Sequence, residues 1–134
     1  MTDIELIKLA VDFVNRGGVF LLDSSVGAME LHGDDLYLSE TDGWMAIYHG
    51  KEPSGESRSH LHLKTGVLES ARIIKEEEYT PYLGFWEVGG NGNPVVHAYF
   101  PSFYDWSNNK SIINSNWKFF DQWERQYGSE FELI

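Results

Sequence analysis

A chain of 134 residues suits one domain, 1–134, with a hydrophobic core of its own. Its formal charge of −11 argues against binding to nucleic-acid phosphates or anionic lipid, both of which need clustered Lys and Arg. The absence of cysteine excludes disulfides, thiolate zinc sites and iron–sulfur clusters. An apolar share of 42%, with 15% aromatic, marks a globular chain rather than a disordered one.

The opening MTDIELIKLA carries no basic region ahead of an apolar stretch, so a secretory signal is not expected there. No run approaches the ~18 apolar residues of a spanning helix, and the expected location is cytoplasmic.

The first element reads as a helix. Thr2-Asp3-Ile4-Glu5 fits a capping box. Ile4, Ile7, Val11 and Val14 follow at helical spacing, widened by Leu6, Ala10 and Phe13, and Gly17-Gly18 supplies the stop. From Val19 to about Pro101 short runs of β-branched and aromatic residues alternate with Gly, Asp, Asn and Pro, the pattern of an antiparallel meander. The strands are expected at Val19–Leu22, Ala28–His32, Asp35–Ser39, Trp44–Tyr48, Ser59–Lys64, Val67–Lys75, Leu83–Val88 and Val95–Phe100. Gly33-Asp34, Thr41-Asp42-Gly43, Thr65-Gly66 and Gly89–Asn93 read as turns, Lys51–Ser57 as a loop, and Glu76-Glu77-Glu78 as a solvated turn. Near the end, Ile113, Trp117, Phe120 and Tyr127 keep to one side of a second helix, widened by Phe119 and Trp123. Asn108 or Asn109 is a candidate cap and Gly128 the stop. The expected class is α+β: an antiparallel meander sheet flanked by an N-terminal and a C-terminal helix.

Five of the ten Lys and Arg fall within 51–75, around the segment RSHLHLK. In a strand, Ser59, Leu61 and Leu63 point one way, and Arg58, His60, His62 and Lys64 the other. A solvated polar face accounts for that alternation. A metal site needs more ligands than two histidines. His32, His49, His97, Glu30 and Glu69 stand at no recognised ligand spacing. A haem asks for an axial imidazole, ring-lined walls and cations for its propionates. His60 and His62 lie between Arg58 and Lys64, Arg72 and Lys75 follow on the next strand, and the sequence around them is rich in rings: Tyr79, Tyr82, Phe85, Trp86, Tyr99, Phe100, Phe103, Tyr104 and Trp106. Rings at such spacings are more often core than cofactor box. His97, in PVVHAYF, is either a hydrogen-bonded core residue or a ligand. No nucleophile elbow or phosphate loop is present, so binding is expected rather than catalysis.

Leu61-His62-Leu63 followed by GVLESARIIKE (66–76) resembles the haem-utilisation proteins of the HemS/HmuS and ChuX/HutX kind, which have an "FNLHL" strand, an "AWVVRKP" strand, a hairpin and an aromatic strand ending in "FGxR". The likeness covers about 58–125. It implies the haem-utilisation fold, haem as ligand, a homodimer and haem carriage, storage or delivery, with degradation known in some relatives. His62 stands at the family's LHL histidine and Lys75 at its basic residue. The "FGxR" arginine has no counterpart, because Phe100 is followed by Pro101-Ser102-Phe103. A non-catalytic dimeric module that has lost haem therefore stays open beside a haem binder, as does a haem-degrading enzyme.

Overall fold

The computed structural model describes residues 1–50, 60–90 and 92–134; the expected loop Lys51–Ser57 and Arg58 lie outside the described residues. Helix α1 spans Asp3–Val14, and its capping box forms as expected: the Thr2 hydroxyl accepts from the Glu5 N–H while the Glu5 carboxylate accepts from the Thr2 N–H. Six strands make the larger sheet: β1 (Val19–Ser24), β2 (Gly27–His32), β6 (Leu68–Ile74), β7 (Tyr82–Glu87), β8 (Val96–Tyr99) and β11 (Glu130–Glu132), in the order β11-β6-β7-β8-β1-β2. Strands β3 (Leu36–Thr41), β4 (Trp44–His49) and β5 (His60–Lys64) form a second sheet. A short ribbon, β9 (Tyr104–Asp105) with β10 (Ser111–Ile112), encloses a 3-10 turn at Trp106–Asn108, and helix α2 covers Asn114–Tyr127. All pairings among the described residues are antiparallel. The α+β class with two helices and antiparallel sheets is therefore the architecture seen. No helix among the described residues is long and apolar enough to cross a membrane.

One meander was expected; the strands instead divide between two sheets. Gly33-Asp34 and Thr65-Gly66 are crossovers between the sheets, not hairpin turns. The reason lies in α1. A Cβ at Gly33 would come within 2.0 Å of the Val14 carbonyl oxygen, so the chain leaves β2 pressed against the end of the helix. Asn15, just beyond that end, donates to the Leu36 carbonyl at 2.9 Å and accepts from the Leu36 N–H at 2.8 Å, which starts β3. At the helix's other end the buried Asp3 carboxylate accepts from the N–H of Gly66 at 2.7 Å, where φ is +80°. Both crossovers are thus tied to the polar ends of one helix.

The apolar stripe of α1 (Leu6, Ile7, Ala10, Phe13 and Val14) is fully buried against alternate residues of both sheets, among them Phe20, Met45, Ile47, Leu83, Phe85 and Val96. Phe100 joins the layers, stacking on Phe13 with centroids 3.9 Å apart and meeting Phe120 and Trp123 of α2 edge-on. Helix α2 buries only Phe120 and Trp123, whereas Trp117 of the expected apolar side is half exposed. Ile113 holds its cap position with no side-chain bond, and Asn109 instead adopts a left-handed conformation after the 3-10 turn. Gly128 ends α2 as expected. Strand β11 was not foreseen: Glu130-Phe131-Glu132 is too short for a periodic signal, yet Phe131 enters the core and the strand pairs with β6.

Replacing Asn15 by Ala leaves the Leu36 N–H and C=O without these partners. That should lower unfolding stability by about 1–3 kcal/mol, measured by urea denaturation; a loss under ~0.5 kcal/mol would show that Asn15 does not hold the crossover.

Candidate functional site

The residues expected to gather around a haem occupy separate surfaces. His60, His62 and Lys64 share the outer face of β5 in the three-stranded sheet, exposed, with the two imidazole centroids 4.9 Å apart and edge-to-face. Their register partners are Tyr48, Ala46 and Trp44 on β4, which continue that face. Arg72 lies on β6 of the other sheet, its guanidinium 4.8 Å from the Trp86 ring. Lys75 pairs with Glu124 of α2 at 2.8 Å. His97, 8% exposed, stacks on Tyr82 at 4.6 Å, with Nε2 3.1 Å from the Pro94 carbonyl oxygen and Nδ1 without a partner. Arg72, Lys75 and His97 are thus engaged within the six-stranded sheet and its helix, away from the β5 imidazoles. Neither His60 nor His62 lines the hollows beside β11, beside α2, over the β7–β8 hairpin or between the two helices. His32 pairs with Glu30, and His49 with Asp35. Among the described residues no group of three or more His, Asp or Glu side chains is close enough to hold a metal ion.

The rings do come together. In the β7–β8 hairpin, Tyr82 pairs with Tyr99 across the strands, and the ring centroids are 4.8 Å apart. Both face away from the buried Leu83 and Ala98. The loop after β6 brings Glu76, Tyr79 and Thr80 above them, and the 3-10 turn brings Trp106, enclosing a hollow of about 360 Å³. Thr80 is fixed by the Phe103 N–H, which donates to its hydroxyl at 3.0 Å. Pro81 accepts from the Phe100 N–H at 3.3 Å, closing the loop onto the end of β8. The result is three tyrosines, one tryptophan and one carboxylate, with no cation among the lining residues.

Its electrostatics are negative. Burial pushes the Tyr82 phenol above its ordinary value, with Tyr99 and Glu76 adding to the shift, and Arg72 partly opposing it. Tyr99 is raised by burial and then by Glu76, Asp23 and Glu30. Both phenols therefore stay neutral through the physiological range, in a field that favours positive charge. The chain itself supplies an ammonium nearby: Lys110 Nζ stands 5.1 Å from both the Tyr104 and Trp106 ring centroids. Its backbone is held at φ +56°, as is that of Asn109, and Glu78 sits at φ +69°. Such conformations cost about 1–3 kcal/mol each in non-glycine residues. Three of the four found among the described residues lie within four residues of Tyr79 or Trp106, which line this hollow.

A larger hollow, about 620 Å³, lies beside β11 between Arg72, Trp86, Glu130 and Glu132. Its guanidinium already stacks on Trp86, and two glutamates line the same space.

Glu76, read as part of a solvated turn, lines the aromatic hollow. In the sequence, Tyr79, Tyr82, Tyr99 and Trp106 are four rings among many, with no local pattern to set them apart. One signal was available: Tyr82 and Tyr99 stand at near-equal distances from the Gly89–Asn93 tip, so a hairpin centred there pairs them. Comparisons with protein-family models, curated proteins and solved structures find no match to this chain.

A phenol whose folded pKa is raised contributes stability that is complete below its unfolded value of 10.0 and is lost as pH climbs through the folded value. Urea denaturation from about pH 8 to about pH 11 should show a decline confined to the alkaline end. Tyr82→Phe with Tyr99→Phe should make that decline shallower. An unchanged profile would contradict the burial of these phenols.

Proposed function

We propose that this chain is a non-catalytic binding domain whose ring-lined hollow takes an organic cation, a substituted ammonium or a guanidinium group. The observation that carries the reading is the convergence of Tyr79, Tyr82, Tyr99 and Trp106 around one space with the Glu76 carboxylate. Ring faces attract cations through their quadrupoles, by about 0.5–1 kcal/mol each at exposed sites and more where water is displaced. Glu76 adds direct charge, and the neutral phenols leave their rings free to act as walls. No nucleophile–base pair lines the hollow, and recognition needs none.

Tetramethylammonium, followed by Trp fluorescence or by NMR of the Trp106 indole, should bind in competition with choline. Its uncharged isostere, 3,3-dimethyl-1-butanol, should not. Glu76→Gln should weaken the cation about two- to fivefold and Trp106→Ala more. Equal binding of cation and isostere would overturn the reading.

Haem capture is a second reading, favoured by the His60–His62 pair. The two exposed imidazoles lie side by side with Lys64 on the same strand face, the part of the chain that resembles the haem-utilisation proteins. On this reading the chain has that family's fold, and either imidazole ligates iron while Lys64 meets a propionate. Arg72, Lys75 and His97 belong to other contacts and have no part in it. Added hemin should give a Soret band that shifts in His60→Ala or His62→Ala; an unaltered hemin spectrum would sink this reading.

A further inference from the structure

We infer that the cation is a lysine or arginine side chain of a basic protein partner, and that the surface around the aromatic hollow is its docking site; this rests on the cation reading above. A second hollow, about 370 Å³, adjoins the first and shares Glu76 and Tyr79 with it. Its floor is apolar, with Phe103, Phe120, Ile112 and Trp117. The two are lined by large side chains that the fold leaves in water: Tyr79 is 64% exposed, Trp106 63%, Ile112 64% and Trp117 49%. Exposed aromatic and aliphatic groups flanking two hollows are the anatomy of a protein contact, where Trp and Tyr carry most of the binding energy.

Charge selects the partner. Glu76, Glu78, Asp121 and Glu124 line the second hollow, and the exposed Glu77 extends their rim. Lys75 pairs with Glu124 at 2.8 Å, Lys110 with Glu78 at 3.9 Å and Arg125 with Asp121 at 3.0 Å, which among the described residues leaves Glu76, shared by both hollows, as the lining carboxylate open to an incoming cation. A chain of net charge −11 is therefore complementary to a Lys- and Arg-rich surface, and a second copy of itself would set carboxylate against carboxylate. One basic side chain enters among Tyr79, Tyr82, Tyr99 and Trp106, while an apolar neighbour rests on Ile112 and Trp117. Glu78, which lines the second hollow, and Asn109 and Lys110, just after Trp106, have left-handed backbones, and strained backbone of that kind clusters where function requires it.

The full chain should be titrated with a short peptide that alternates Lys or Arg with Leu, and with its counterpart in which every basic residue is Glu. The basic peptide should bind, weakening as salt is raised, and the acidic one should not. Trp117→Ala and Ile112→Ser, outside the first hollow, should weaken the peptide about tenfold and leave tetramethylammonium affinity unchanged. Retained tetramethylammonium binding without peptide binding, or peptide binding indifferent to both substitutions, overturns the docking surface alone. Loss of both ligands overturns the cation reading as well. A concentration-dependent dimer abolished by Trp117→Ala would assign the surface to a second copy and likewise overturn the proposal.

Discussion

Two polar side chains at the ends of α1 hold the fold in its arrangement. Asp3 takes the Gly66 N–H and Asn15 takes both backbone groups of Leu36, so the points where the chain changes sheets are fastened to one helix. The apolar stripe between them supplies burial, which is large but indifferent to register. The hydrogen bonds supply position. A buried carboxylate without its amide partner is costly, so the end of β5 and the start of β6 are confined to where Asp3 can be satisfied. That constraint separates the β5 imidazoles from the cations and the histidine of the larger sheet.

The aromatic hollow follows from the same layering. Strands β7 and β8 turn Leu83, Phe85, Val96 and Ala98 inward, which obliges Tyr82 and Tyr99 to the opposite face. The loop after β6 and the β9–β10 ribbon then fold over that face, and Phe103 bonds to Thr80 to hold them together. Carboxylates collect there because the loop itself is acidic. The negative field felt by the phenols is the same field a bound cation would feel, so geometry and electrostatics favour one class of ligand.

Much of the local structure was legible in the chain. The capping box at Thr2–Glu5, the stripe from Ile4 to Val14 and the Gly128 stop are local devices whose partners lie within a turn of them. The eight long strands fall within two or three residues of their expected bounds wherever the structure describes them, since alternation is a local signal. Gly33-Asp34 and Thr65-Gly66 looked like hairpin turns because the same residue types serve tight turns and close backbone approaches. Strand β11 carries one buried residue in three, too few for a period. The RSHLHLK face is alternating from His60 onward as expected, but alternation says which residues share a face and nothing of what stands opposite.

The sequence by itself determined the α+β class, the places of the helices and main strands, the inward and outward residues of each, and a net charge of −11. These follow from periodicity, capping chemistry and charge, all of which act over a few residues. Tertiary structure alone decided that the strands form two sheets, that Arg72, Lys75 and His97 leave the β5 histidines, and that Tyr79, Tyr82, Tyr99 and Trp106 meet around Glu76. Those outcomes depend on which distant backbone groups Asp3 and Asn15 can satisfy, a long-range choice that no local pattern encodes.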